Sequence, residues 1–446
     1  MKKTLCILLA VLLITALFSG CGEPEPLHVL VDLDYYVLMN YVGTYAEDAV
    51  APFLEWVADL GGPSDIVLEV LPKDGVERDT ALTRLRTEIM AGGGPDVFIM
   101  ACDAGDSYDS AEPLFPIPEK AMEVGMFLTL DEYIENAQYM EWDKLTPAIM
   151  NAGKNEYGQQ ILPLTYTVPV SYFMKSEVSH SVSAKTDWED MLSDESRTLA
   201  AAASWIHLTE NEPELYRLPP WEGHHLEYIL GDLADYKEEE LLFTEEELLR
   251  RCEEIFGVHE QYLCGALDAS PVCFQDCLST KFTNEWDTAR FNGISKTADL
   301  TMVPLYSDDG GVTANILYYA AVNANTKRPE DAFFLLDVLM DRNSQQYSDI
   351  YGWCLTRNFG IPTHEDLLQE EYPTRHEGAG YLSESNYAQL CEIRDSITNV
   401  RFQGGLDLVL DSMFEEIYYA EMEPEAKDVK EIVSQAYRKM EIMLRE

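Results

Sequence analysis

The sequence predicts an α/β fold, because segments with strand character alternate with segments of helical spacing near its start. His28 to Leu33 is apolar and β-branched, as a buried strand is, and so is Val67 to Leu71. Between them, apolar residues from Ala49 to Leu60 recur at helical spacing and stop at Gly61-Gly62-Pro63. This order predicts a mostly parallel sheet flanked by helices.

The next segment repeats the pattern. Apolar residues at spacings of three and four predict a helix from Ala81 to Met90, which Gly92-Gly93-Gly94 ends. Pro95 to Met100 then reads as a buried strand. A third strand after a second helix extends the predicted α/β layer.

Later helices are marked by their starts. Thr-x-x-Glu capping boxes predict three helix N-termini, at Thr129, Thr186 and Thr244. Pro329, followed by two acids, predicts another, since proline suits the first helical turn. The region from Glu189 to Leu263 has a largely helical pattern, and the tail from Asp407 to Glu446 predicts two helices separated near Pro424.

The charge of the chain excludes two classes of function. Among 446 residues, 80 acids face 31 lysines and arginines, for a net charge of −49, although 46% of the residues are hydrophobic. Sequence-independent binding of nucleic acid needs cations to displace counterions from phosphates. Adhesion to an anionic bilayer needs a basic surface as well. We therefore expect a packed, acidic protein with neither activity.

The N-terminus predicts an exported protein. A basic start precedes an apolar run from Leu5 to Phe18, which is too short for a comfortable membrane-spanning helix. Phe18-Ser19-Gly20-Cys21 resembles the lipobox of bacterial lipoproteins, which implies a signal peptide over 1–20 and lipid on Cys21. Residues 21–26 then form a proline-containing spacer. The alternative is a plain secreted protein with an incidental cysteine.

Several collinear segments of the mature chain carry a family resemblance. They are Arg84 to Met100 with its Pro-Asp-Val, Gly158 to Pro163 with Tyr172 to Lys175, Thr186 to Leu192, Leu300 to Leu305, Tyr318 to Val322, and Lys327 to Phe334. In this order they resemble the extracellular solute-binding proteins of bacterial ABC importers, in the sugar-binding class that includes maltose-binding protein. Ser193 to Thr280 matches nothing specific.

The resemblance implies a two-lobe periplasmic-binding-protein-like fold. Each lobe would be a mostly parallel sheet flanked by helices, with the ligand cleft between the lobes and closure about a hinge. Lobe one would comprise 27–163 plus 303–355, and lobe two 164–302 plus 356–446. The implied partners are a small solute, presumed a sugar, and the transmembrane subunits of an ABC permease. The protein would be a monomer on the outer face of the cytoplasmic membrane, held there only by its lipid.

A sugar site needs aromatic rings beside polar side chains, because a sugar ring has an apolar face and a rim of hydroxyls. The resemblance places such residues after the first strand, after the Pro-Asp-Val strand, at the first crossing and on helices of lobe two. The candidate ligand-binding residues at those places are Asp32, Tyr36, Asp103, Tyr166, Thr167, Trp205, Trp221, Trp286, Trp353, Tyr418 and Tyr419. For each aromatic, burial in the core is the alternative.

The sequence offers no catalytic motif, so we expect no enzyme, no cofactor and no metal. The acidic runs at 237–240 and 245–247 are interpreted as solvated helix faces, and His224-His225 as a solvated pair. The mature chain keeps seven cysteines besides Cys21, whose pairing stays open: Cys102, Cys252, Cys264, Cys273, Cys277, Cys354 and Cys391. A disulfide within 264–277 is one option, and Cys102 is expected to act as a small buried hydrophobe.

Two other functions remain open at this stage. The acid excess suits a cationic solute such as a polyamine, whose binding would weaken steeply with salt. The other alternative is a secreted enzyme or surface protein that uses the same scaffold without transport.

Overall fold

The computed structural model describes residues 25–32, 46–102, 112–168, 170–174, 226, 230–253, 300–304, 307, 310–346, 361–369, 384–422 and 428–445. The predicted signal peptide, Cys21 and the Thr186 capping box lie outside these ranges.

The strands of these ranges are, in chain order, β1 (Leu27–Asp32), β2 (Ile66–Val70), β3 (Val97–Ala101), β4 (Lys154–Asn155), β5 (Gly158–Gln159), β6 (Ile161–Thr167), β7 (Val170–Met174), β8 (Ala234–Asp235), β9 (Glu240–Leu241), β10 (Leu300–Pro304), β11 (Val312–Val322), β12 (Ile361–Pro362) and β13 (Ile397–Phe402). The α-helices with defined bounds are α1 (Ala46–Asp59), α2 (Gly75–Met90), α3 (Pro118–Glu123), α4 (Asp131–Ile134), α5 (Pro147–Asn151), α6 (Pro329–Leu339), α7 (Arg342–Gln346), α8 (Glu384–Asp395), α9 (Gly405–Met422) and α10 (Val429–Arg445). Residues 245–253 are helical as well.

The main sheet has the order β12–β6–β11–β3–β1–β2, with β13 paired to the first half of β11. β1 runs parallel to β2 and β3, and β13 runs parallel to β11. β11, which returns from far along the chain, is antiparallel to β3 and β6, and β12 is antiparallel to β6. The α/β class is confirmed, but this sheet is mixed rather than mostly parallel, because β11 enters its centre in the reverse direction.

Both faces of the main sheet are buried. Side chains alternate between the two faces of a strand, so Leu30 packs with Leu82 of α2, while Val31 packs on the opposite face with Phe53 of α1 and Leu336 of α6. The nearly continuous apolar runs of β1 and β3 follow from this double burial. The strand–helix–strand prediction is confirmed, with helix α2 beginning six residues before the predicted Ala81.

A third core lies between the two C-terminal helices. Leu410 and Ile417 of α9 pack in one cluster with Ile432 and Met440 of α10. These positions recur at helical spacing, and they bury one stripe of each helix. The prediction of two helices in the tail is confirmed, since α9 ends at Met422 and α10 begins at Val429. Leu233 and other residues around the β8–β9 hairpin complete the cluster.

The β8–β9 hairpin corrects the expectation of a helical region from Glu189 to Leu263. Its turn is set by Asp235, whose Oδ1 accepts hydrogen bonds from the backbone N–H groups of Lys237 and Glu238. Glu239 then adopts a left-handed φ of 57°. Aspartate binding the backbone two and three residues ahead favours a turn over a helix. The acidic run at 237–240 is therefore a solvated turn and not a helix face.

Of the predicted helix starts that the structure describes, two are confirmed and one is wrong. The Thr244 box is confirmed, because the Glu247 N–H donates to Thr244 Oγ1 at 3.2 Å and the Thr244 N–H donates to Glu247 Oε2 at 2.8 Å. Helix α6 begins at Pro329 as expected. The Thr129 box is wrong, since α4 begins at Asp131 without a side-chain cap. None of the helices in the described ranges is long and apolar enough to span a membrane.

Candidate functional site

The candidate site is the edge of the main sheet at which β1, β3 and β6 end. These three strands run in the same direction, because β3 is parallel to β1 and both β3 and β6 are antiparallel to β11. Asp32, Cys102 and Thr167 stand at or just beyond their carboxyl ends. Ligands of open α/β sheets bind at this edge. The topology therefore brings three of the predicted residues, Asp32, Tyr166 and Thr167, to the same end of the sheet's strands.

Asp32 is held there by Arg78 of α2. Arg78 Nη1 donates to Asp32 Oδ1 at 2.9 Å and Nη2 donates to Oδ2 at 2.7 Å, in a bidentate pair. The same guanidinium donates to the carbonyls of Pro72 and Glu112. Both side chains are almost fully buried. In this conformation Asp32 serves as an anchor for Arg78, and its contact with a solute stays a prediction.

Tyr166 and Thr167 close β6 and are fully buried. Tyr166 pairs across the sheet with Ile361 of β12, belongs to the core cluster that also contains Leu30, and shares a side-chain hydrogen bond with Thr146. Burial raises the pKa of its phenol. In this conformation the Tyr166 ring is therefore packed in the core at the sheet edge. Its stacking on a solute stays a prediction.

The other predicted ligand residues are not brought to this edge by anything the structure describes. Tyr418 and Tyr419 lie in α9. The rest lie outside the described residues: Tyr36, Asp103, Trp205, Trp221, Trp286 and Trp353. Asp103 directly follows Cys102, which stands just beyond the carboxyl end of β3 at the candidate edge.

Sequence reasoning missed a polar cluster beside this edge. Arg401, at the end of β13, forms a buried ion pair with Asp407 of α9, with Nη2 and Oδ1 separated by 2.7 Å. Asp407 Oδ2 also accepts the Gly404 N–H at 2.8 Å. Glu119 of α3 lies alongside and accepts the Phe402 N–H at 3.2 Å. Two carboxylates thus lie within electrostatic range of one guanidinium, and one of them is paired with it.

The surroundings of Glu119 change its chemistry. Burial is the main cause that raises its pKa, to about 7, and the negative charge of Asp407 adds to the effect. Tyr319 of β11 lies within electrostatic range of Glu119, Asp32 and Cys102, so the cluster is continuous with the sheet edge. Burial is also the main cause that raises the pKa of the Tyr319 phenol. Only the Pro118-Glu119 helix start signalled Glu119 in the sequence.

The described residues contain no group of three or more His, Cys, Asp or Glu side chains arranged to hold a metal ion. Cys102, Cys252 and Cys391 form no disulfide, while the other four cysteines of the open set lie outside the described ranges. Cys102 is 3% exposed within the sheet core, which confirms its prediction as a small buried hydrophobe. Burial raises the pKa of the Cys252 thiol to about 12.

The sequence by itself has no detectable relatives in two comparisons. No protein-family profile matches it, and no curated protein is significantly similar to it.

Solved structures, in contrast, share its fold. A family 1 extracellular solute-binding protein from Alicyclobacillus acidocaldarius has a TM-score of 0.52 at 12% identity, with 94% of this chain and 98% of that chain covered. The sugar-binding protein MalE from Xanthomonas citri has a TM-score of 0.54 at 12% identity, covering 94% and 97%. A cyclic alpha-maltosyl-1,6-maltose binding protein from Arthrobacter globiformis has a TM-score of 0.51 at 14% identity, covering 94% and 98%. The chain therefore has the two-lobe α/β fold of the extracellular solute-binding proteins.

Proposed function

We propose that this chain is an extracellular solute-binding protein that captures a carbohydrate and delivers it to an ABC permease. The observation that carries the proposal is a fold shared over 94% of the chain with proteins that are themselves named for sugar binding. We place lobe one at 27–163 plus 303–355 and lobe two at 164–302 plus 356–446. The solute would bind between them, against the edge formed by β1, β3 and β6.

The chemistry of that edge supports a neutral polyhydroxylated ligand. Thr165 and Thr167 are buried polar residues at the end of β6, and Asn315 is another on the neighbouring β11. Hydroxyl and amide groups of this kind suit sugar hydroxyls, which need both donors and acceptors. Asp103 and the tryptophans predicted from the sequence would add a carboxylate and stacking faces. We assign no catalytic role to these residues.

The lipobox supports an anchored protein. Lipid on Cys21 would hold an otherwise globular chain at the outer face of the membrane, where a permease is accessible. Stable anchoring takes two acyl signals, which lipoprotein processing would provide. Replacing Cys21→Ala should move the full-length protein from the membrane fraction to the medium or periplasm, and retention in the membrane would contradict the anchor.

A thermal-shift screen of the mature chain tests solute binding. The probes are maltotriose, cellobiose and glucose, with spermidine as the cationic comparison. A probe at 100 times its dissociation constant stabilises the folded state by about 2.7 kcal/mol. We expect a shift with at least one sugar that persists in high salt. Asp103→Asn should weaken that sugar's affinity at least tenfold, whereas Asp59→Asn, on the exposed end of α1, should not.

A polyamine site is the second candidate, and the net charge of −49 favours it. Spermidine would then give the larger shift, and its affinity would fall steeply with salt because charge–charge attraction is screened. A shift with none of the probes would count against both binding functions and favour a surface protein built on the same scaffold.

A further inference from the structure

One guanidinium joins three chain segments at the candidate edge. Arg78 of α2 binds Asp32, at the carboxyl end of β1, through the bidentate pair at 2.9 and 2.7 Å. Its Nη1 also donates at 2.9 Å to the carbonyl of Pro72, just beyond the end of β2. Its Nε and Nη2 donate at 3.1 and 2.9 Å to the carbonyl of Glu112, on the chain that follows β3. Arg78 therefore connects the ends of β1 and β2 to the segment that re-enters the fold after β3.

This re-entering segment is held from two sides. Arg86, further along α2, donates to the carbonyls of Pro113 at 2.7 Å and Leu114 at 3.1 Å. Three successive carbonyls of the segment thus accept hydrogen bonds from arginines of one helix. The next side chain, Phe115, packs edge-on against Phe98 of β3, with the ring centroids 5.2 Å apart. The position of the segment relative to β1 and β3 is therefore set by α2 on one side and by the core on the other.

The pair at the centre of this arrangement is closed to solvent. Asp32 is 1% exposed and Arg78 is 2% exposed. Each carboxylate oxygen of Asp32 accepts a hydrogen bond from Arg78. A solute at the candidate edge does not reach either side chain in this conformation. An effect of Asp32 on binding must then pass through the backbone that it helps to position.

We propose that Arg78 and Asp32 are positioning residues of the candidate edge and that neither touches the solute. The guanidinium fixes how the ends of β1 and β2 stand relative to the segment after β3. Lysine would keep the positive charge at position 78 but not this role, because its ammonium is a point donor without the planar fork of arginine. The proposal rests on the proposed function in one respect, namely that the solute binds at this edge.

The effect on affinity follows from the fraction of molecules in which the edge is correctly arranged. A solute that needs the three segments in place has an apparent dissociation constant that rises as this fraction falls. If loss of the Arg78 bonds lowers the fraction to about a tenth, the affinity falls about tenfold. The solute would lose no direct contact in this change.

Hydrogen exchange of the solute-free mature chain offers two probes of the positioning role. The Leu71 N–H donates to the Val31 carbonyl at 3.0 Å and reports on the carboxyl ends of β1 and β2. The Asp96 N–H donates to the His28 carbonyl at 2.8 Å and reports on the amino ends of β1 and β3. Comparing the two amides separates a local change at the candidate edge from a general loss of stability.

Arg78→Lys should lower the protection of the Leu71 amide at least about tenfold more than that of the Asp96 amide. This variant keeps a cation beside Asp32, so it does not leave an unpaired buried charge. Arg84→Lys, at an exposed position of the same helix, is the matched control and should change neither amide. An equal loss at Leu71 and Asp96, or no loss at either, would overturn the positioning role whether or not the chain binds a sugar.

A double-mutant cycle tests whether Asp32 acts on the solute through Arg78. The probe is whichever of maltotriose, cellobiose and glucose shifts the melting temperature, and its affinity is measured by calorimetry. Asp32→Asn and Arg78→Lys should each weaken binding about tenfold, and the double variant should also lose about tenfold, because residues that act through one contact are not additive. A loss of about a hundredfold in the double variant would show that Asp32 contacts the solute independently.

The two experiments separate this proposal from the proposed function. Unchanged sugar affinity in Arg78→Lys would overturn the positioning role and leave sugar binding intact. If none of the three sugars binds, the proposed function fails, and the exchange of Leu71 against Asp96 still decides whether Arg78 positions the edge.

Discussion

Two buried arginine–aspartate pairs in the described part of the chain differ in their surroundings. Arg78 and Asp32 sit at the edge of the main sheet, where the guanidinium also donates to the neutral carbonyls of Pro72 and Glu112. Arg401 and Asp407 sit at the β13–α9 corner, and the carboxylate of Glu119 lies near them as a second acid. Besides its aspartate, Arg78 binds two neutral carbonyls, whereas Arg401 lies within electrostatic range of a second acid. The partners around a buried ion pair thus decide whether it is a fixed anchor or a titratable contact.

The first pair should cost the most to break. Arg78→Met leaves Asp32 buried without its cation and removes the donor from two backbone carbonyls, and breaking a buried pair in this way costs about 3–5 kcal/mol. We expect that loss of unfolding free energy in urea at neutral pH. Arg84→Met is the matched control on the same helix, because Arg84 is exposed and its pairs with Glu69 and Glu88 should contribute less than about 1 kcal/mol. Equal losses for the two variants would contradict the anchor role of Arg78.

The second region should be sensitive to shape as well as to charge. Gly404→Ala places a methyl group 2.7 Å from the Pro116 carbonyl oxygen, so one backbone must move. Overpacking of this kind costs about 1–3 kcal/mol, measurable by urea unfolding. Gly93→Ala is the control, since its Cβ would stand at an ordinary 3.6 Å from the Glu88 carbonyl oxygen. If Gly404→Ala is no more destabilised than Gly93→Ala, the corner is not tightly packed.

The two regions should also respond differently to pH. The folded-state pKa of Glu119 is about 7, above its ordinary 4.5, so the folded protein loses stability as pH rises through this range. Glu119→Gln should remove a loss of about 1.3 kcal/mol between about pH 6 and about pH 8. Unfolding curves at both pH values, with Glu123→Gln as control, measure it. A loss of the same size in Glu119→Gln would assign the pH dependence to other groups.

The two ion pairs also show which features of the fold a local sequence pattern predicts and which it does not. The strands β1 and β3, the Thr244 capping box and the helix beginning at Pro329 follow from spacing and local chemistry, and all were predictable. The bond between Asp32 and Arg78 joins residues 46 positions apart, and that between Glu119 and Phe402 joins residues 283 positions apart. No local pattern encodes such pairing. Asp32 could therefore be placed at a sheet edge from the sequence, but its arginine could not.

For the same reason, the sequence could not predict that β11 runs antiparallel to β3 and β6. A buried strand is apolar whether its neighbours are parallel or antiparallel, so Tyr318 to Val322 predicts burial but not direction. The direction of β11 depends on the path by which the chain returns to β3 and β6, and the apolar pattern of β11 itself does not encode that path. The candidate edge was predicted from the family resemblance, which places ligand-binding residues after the first strand, after the Pro-Asp-Val strand and at the first crossing.

The outer part of the second region should contribute least. Lys120 joins α3 to Glu239 of the β8–β9 turn at 3.1 Å, but Glu239 is 44% exposed, so water screens the pair. Lys120→Met should therefore cost about 0.5–1 kcal/mol, checked by urea unfolding. Lys144→Met, which removes a pair exposed on both sides, should cost less, because Lys120 is only 15% exposed and also donates to the Leu444 carbonyl. A cost for Lys120→Met as large as that of Arg78→Met would mean that the surface ion pair, and not the buried corner, holds the two sides together.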